Sequence, residues 1–189
     1  MSKIKSIETL KNPNFVKPIE INYIQNGVEK RWEAVISHNS VSILLYHKDK
    51  NAFVVVKQLS PAVLNITKDD GYMYELCAGI IDKDKSDKAI AKEEILEECG
   101  YDVPLSHIEK ITTFYTSVGI SGASQTLYYA EIDNSMQINE GGGIEQEEIE
   151  VVYIEIDKAK SFMFDEQYKK TPGMLAGFYW FFENIYPTF

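Results

Sequence analysis

Cysteine is nearly absent from this chain: Cys77 and Cys99 are the only two, so no disulfide framework holds the fold, and a reduced, cytoplasmic setting is expected. Histidine is as scarce. His38, His47 and His107 show no His/Cys spacing of a zinc site and read as surface or satisfied side chains. No apolar run reaches the length of a membrane span, and the opening MSKIKSIETLKNPNF holds no signal-peptide core, so no membrane partner is expected. Positive charge is in deficit. Lys and Arg number 19 against 29 Asp and Glu, a net charge of -10, which argues against binding a nucleic-acid backbone. No repeat appears, and no low-complexity tract beyond Gly141, Gly142 and Gly143. Against these absences stand 189 residues, 44% of them hydrophobic, enough for one cored domain or a domain with a small extension.

The negative charge is concentrated where it matters, in GIIDKDKSDKAIAKEEILEECGY, residues 79–101. Ser86 or Asp87 can cap a helix there, and Gly100 can end it in a left-handed residue. At helical spacing Ala89, Ala91, Ile95, Leu96 and Cys99 share one arc, with Cys99 as a small core residue, while Glu93, Glu94, Glu97 and Glu98 share the opposite one. Glu94, Glu97 and Glu98 stand three and four residues apart, where like charges repel unless something positive lies between them. Glutamates alone would read as a solvated face. Glycines at both ends suggest close backbone passage, and a hard divalent cation bound by carboxylate oxygens then fits better.

Around this stretch the chain reads mainly as strands. IEINYIQ (19–25) and VEKRWEAVIS (28–37) flank Asn26-Gly27, the pair a tight hairpin wants, with Trp32 as core or interface. VSILLYH (41–47) and AFVVVKQ (52–58) look like central strands buried on both faces. Lys57 is either a solvated strand end or a cation facing a diphosphate. SPAVLNITKDDG reads as a connecting loop, and YMYELCAG as one short strand whose Glu75 needs a partner or a metal. HIEKITTFYTS (107–117) and ASQTLYYAEI (123–132) are two further strands around VGISG. NSMQINEGGGIEQEE reads as a flexible acidic loop, or as a mobile flap carrying a carboxylate to a site. IEVVYIEI (149–156) resumes a strand, and the tail GMLAGFYWFFENIY, apolar almost all round, reads as a buried terminal helix.

The glutamate stretch resembles the Nudix box: Gly79, Glu94, Ile95, Glu97, Glu98 and Gly100 match it in register. Lys85 and Glu93 depart from it, with the charges of the family's Glu–Arg pair reversed, and Tyr101 replaces its final aliphatic. The resemblance implies an α/β fold: a Nudix α/β/α sandwich with a mixed β-sheet, here residues 39–189, preceded by an antiparallel hairpin extension, 1–38. It implies Mg²⁺ or Mn²⁺ held by Glu94, Glu97, Glu98, Glu147 and the Ala78 carbonyl, with Glu97, Glu98 and Glu145 in catalysis, Glu145 as general base. It further places Trp32, Lys57, Glu75, Gly79 and Gly119 around the substrate. ELCAG, EECGY, VGISGASQTLYYAE, Pro61-Ala62 after VKQ, and Trp32 are similar to the UDP-sugar diphosphatase branch. Thr116–Gly119 lacks the prolines usual in ADP-ribose diphosphatases, and Ser60 stands where both branches tend to have Arg. In both branches the enzyme is a homodimer built through the N-terminal strands, which would put Trp32 near the partner's nucleobase. The expected activity is cleavage of a UDP-sugar to UMP and sugar 1-phosphate. ADP-ribose hydrolysis and a non-catalytic nucleotide-binding module remain open beside it.

Overall fold

The computed structural model describes residues 2–144 and 147–186, so Glu145 lies outside the described residues. Strands β1 (Lys17–Gln25) and β2 (Val28–Ile36) form a separate two-stranded antiparallel sheet. Their turn, Asn26-Gly27, has φ of 54° and 77°, the double left-handed geometry of a tight hairpin.

The remaining strands form one mixed sheet: β3 (Ser40–His47), β4 (Ala52–Leu59), β5 (Tyr72–Glu75), β6 (Cys77–Ile80), β7 (Glu109–Tyr115), β8 (Ser124–Ile132) and β9 (Ile149–Glu155). Its main path runs β5-β4-β3-β8-β7, with β6 also paired to β3 and β9 to β4. Only the β3–β8 pairing is parallel among these. Alternation along β3 and β4 feeds two cores at once. Val41, Ile43, Leu45, Val54 and Val56 pack on the side of helix α2 (Asp87–Cys99). Leu44, Phe53 and Val55 pack on the other side, under α3 (Ile156–Phe164) and α4 (Pro172–Asn184). Burial on both faces is why these strands read as continuous apolar runs. Phe53 stacks on Phe178 at 4.0 Å and meets Phe181 edge-on at 4.9 Å, contacts that fix α4 to the sheet. The result is an α/β/α sandwich.

Several expectations need correction. The connector after β4 is no loop: Ser60 accepts from the Val63 N–H at 3.3 Å and Pro61 occupies the first turn of helix α1 (Pro61–Thr67). YMYELCAG breaks at Leu76 into β5 and β6, because its two halves pair with different strands, β4 and β3. Ile156 leaves the strand and opens α3, a helix that the strand reading of IEVVYIEI does not anticipate. Helix α4 is buried along one face only; Tyr179 is exposed. His47 is neither superficial nor fully satisfied: it is buried between the Tyr101 and Tyr153 rings, and its Nε2 has no hydrogen-bond partner among the described residues.

Candidate active site

Helix α2 is fixed at both ends as its sequence dictates. The Ser86 side chain accepts from the Ala89 N–H at 3.3 Å, and Gly100, at φ 81°, returns its N–H to Leu96 O. The apolar arc is shifted from the expected one. Ile90 joins Ala91, Ile95 and Cys99 in the buried set, and so does Glu98, whereas Ala89 and Leu96 are half-buried. Glu98 therefore does not belong to a solvated face: it is only 5% exposed. The cause is β6, which packs against α2 and donates the Ala78 N–H to Glu98 Oε2 at 3.0 Å.

Burial pushes the Glu98 carboxyl up to about 8; the Ala78 hydrogen bond pulls it down, and the nearby Glu94 and Glu147 push it up again. Half-buried Glu94 is raised to about 7, by burial first and by Glu97 second, with Lys83 opposing and Glu147 adding to the rise. Glu94, Glu97, Glu98 and Glu147 thus form one negative field with Lys83 as its cation. Gly79 makes room for it, because a Cβ there would collide with the Glu94 carboxylate. The reversed pair forms a real ion pair: Lys85 Nζ meets Glu93 Oε1, and Lys83 Nζ lies 3.6 Å from Glu93 Oε2.

The triple glycine is not a flexible tract. Gly142 N–H donates to Glu98 O at 2.9 Å and Gly143 N–H to Glu97 O at 3.0 Å, so the segment is tied to the last turn of α2. All three glycines have positive φ, and a Cβ on Gly141 would strike the Glu98 carbonyl. That tie brings Glu147 to the cluster, where its Oε2 accepts from the Ile144 N–H at 3.0 Å. The expected general base, Glu145, lies outside the described residues.

Of the other expected contacts, Lys57 pairs with Glu150 at 2.9 Å and lies 5.3 Å over the Tyr72 ring. Glu75 accepts from Gln58 Nε2 at 3.3 Å, and burial raises its carboxyl. Trp32 and Gly119, far apart in sequence, are joined: the indole N–H donates to Gly119 O at 3.0 Å. The hairpin is seated on the same loop by Val35 N–H to Ile120 O at 2.7 Å. Lys83 is missed by the sequence reading: it sits in an irregular loop that no helical period reaches.

Oxygen donors of this kind suit a hard divalent cation. Among the described residues, no three carboxylate, imidazole or thiol groups stand close enough to enclose an ion. Fold and site define a class: an α/β/α sandwich with the carboxylates of one helix facing a short strand. No family model matches the chain. Over 201 aligned positions it is 34% identical to uridine diphosphate glucose pyrophosphatase NUDT14 of Bos taurus, spanning 92% of this chain and 90% of that one. It is 32% identical, with the same coverage, to the Mus musculus protein of that name. A shorter match, 39% identical over 121 positions, covers 64% of this chain and 62% of GDP-mannose pyrophosphatase of Cronobacter sakazakii. The chain belongs to the Nudix hydrolases, enzymes acting on phosphoric anhydrides.

Proposed function

We propose that this protein hydrolyses the diphosphate of UDP-sugars, giving UMP and a sugar 1-phosphate. The negative field shared by Glu94, Glu97, Glu98 and Glu147, with Glu94 against Gly79, carries the reading, and the near full-length likeness to UDP-glucose pyrophosphatases supports the substrate. Water adds to one phosphorus and the bridging P–O bond breaks, its oxygen leaving with the other phosphate; as the two monoesters ionise to dianions, two protons are released in all. Glu94, Glu97 and Glu98, with Glu147 and the Ala78 carbonyl, would hold Mg²⁺ or Mn²⁺. When bound, such an ion neutralises the diphosphate and acidifies the attacking water. Glu98 is kept in place for that task by the Ala78 N–H, and the glycine turn holds Glu147 against the same cluster. Glu145, next to that turn in sequence, takes the proton.

The hairpin segment 1–38 serves dimerisation and 39–189 the hydrolysis. Ile21, Ile24, Val28, Trp32 and Ile36 are exposed on the hairpin, an apolar surface suited to a second copy. A cytoplasmic setting agrees with two free, buried thiols; among the described residues no helix is long and apolar enough to cross a membrane. Purified protein with Mg²⁺ is to be given UDP-glucose and, separately, ADP-ribose, with products followed by phosphorus NMR. UMP and glucose 1-phosphate are expected, with ADP-ribose slower; faster ADP-ribose cleavage would overturn the substrate assignment and leave the carboxylate site standing.

A further inference from the structure

The side chains of β3 on the α4 side of the sheet run from Ser40 through Ser42 and Leu44 to Tyr46, so the row turns from apolar to polar at one end. Ser42 is 2% exposed, and its Oγ has no hydrogen-bond partner among the described residues. A buried hydroxyl without a partner destabilises the fold unless a guest satisfies it. Ser42 lines a cavity of about 300 Å³, together with Glu75, Thr116, Gln125, Thr171 and Gly173. The walls are prepared for a polar guest. Gln125 Nε2 is held by Ser40 Oγ at 3.1 Å, which leaves Oε1 to the cavity side, and a Cβ on Gly173 would come within 2.8 Å of that oxygen.

Resting on the diphosphatase reading above, we infer that this cavity is the subsite for the glycosyl group, with Ser42 a specificity-determining contact to a sugar hydroxyl. Its lining offers hydroxyl donors beside carboxyl and amide acceptors, the mixed pattern that a polyhydroxyl ring satisfies. No Lys, Arg or His lines it among the described residues. No aromatic ring lines it either, whereas the half-exposed Trp32 indole, joined to Gly119, offers a stacking face for the base. Ala78 connects the cavity to the chemistry: it lines this space while its N–H holds Glu98.

The test compares UDP-glucose with the methyl ester of UDP, which has the base and the diphosphate but no sugar ring. In Ser42→Ala, and separately in Thr116→Val, the ratio of kcat/KM for UDP-glucose over methyl-UDP should fall about 10-fold, the size of one lost hydrogen bond. An unchanged ratio in both variants overturns the assignment, as it would if the base occupied the cavity and both substrates suffered equally. Failure of the wild type to cleave either substrate would sink the diphosphatase reading instead. The subsite is then judged by saturation-transfer NMR with glucose 1-phosphate. Transfer to the sugar protons that weakens in Ser42→Ala upholds it; no transfer in the wild type, or equal transfer in both proteins, overturns it.

Discussion

At the scale of single residues, the site is made of groups that burial has pushed away from their ordinary behaviour. Glu98 is held by one backbone N–H with little solvent around it. Glu98→Gln keeps an acceptor for that N–H and removes the buried ionisable carboxyl. In the absence of divalent metal this variant should melt at or above the wild-type temperature, while kcat on UDP-glucose drops at least ~100-fold, a loss in the range set by removing a key charge-stabilising group. Calorimetry in EDTA and steady-state assays check the two halves separately. His47 gives the pH prediction. Burial first, and Lys50 second, lower its pKa, so the folded protein takes up a proton there less readily than the unfolded chain, whose usual value is about 6.5. The unfolded chain binds more protons there, and stability is lost as pH falls. Between pH 7 and 5 the wild-type melting temperature should therefore fall relative to His47→Phe. A constant difference would contradict a lowered pKa at buried His47.

Elements are where sequence and structure part company in an instructive way. Spacing alone brought Glu94, Glu97 and Glu98 together, and the structure keeps them on α2 beside Gly79. Helical periodicity could not show that Glu98 lies under β6, because that contact spans twenty residues and depends on sheet pairing. The cap of α1 is legible in Ser60-Pro61, a pair that serves equally well as loop punctuation and as a helix start. The glycines of 141–143 look like slack in the sequence; they are tight because a helix carbonyl occupies the space a side chain would need. Gly141→Ala should accordingly destabilise the protein by at least about 1–2 kcal/mol, the cost of left-handed backbone with a Cβ, before any collision is counted. It should also slow turnover by displacing Glu147, whereas Gly27→Ala, in the hairpin turn with open space around it, should not meet such a collision. Denaturant melts and assays of both variants decide this. The reversed pair makes a further prediction. Lys85→Glu should lower stability by leaving two like charges together, and the double variant Lys85→Glu, Glu93→Lys should restore part of it, because Lys83 also pairs with Glu93.

For the whole molecule, the sheet with its two helical layers was legible because β3 and β4 are apolar on both faces. The hairpin was legible from Asn26-Gly27. Its seating through Trp32 and Val35 on the 119–120 loop was not, since nothing local in either segment encodes the other. Arg31, the single arginine of the chain, pairs with Glu20 on that hairpin. Anionic substrate must therefore be met by lysines, backbone donors and bound cations. If the hairpin joins two copies, a chain lacking residues 1–38 should sediment as a monomer where the full chain sediments as a dimer. The most direct single measurement is the Mg²⁺ dependence of UMP release from UDP-glucose, for the wild type and for Glu98→Gln. Turnover that requires Mg²⁺ and collapses in the variant is the expected result; an undiminished rate in Glu98→Gln, or cleavage indifferent to EDTA, would contradict a carboxylate-held cation at this site.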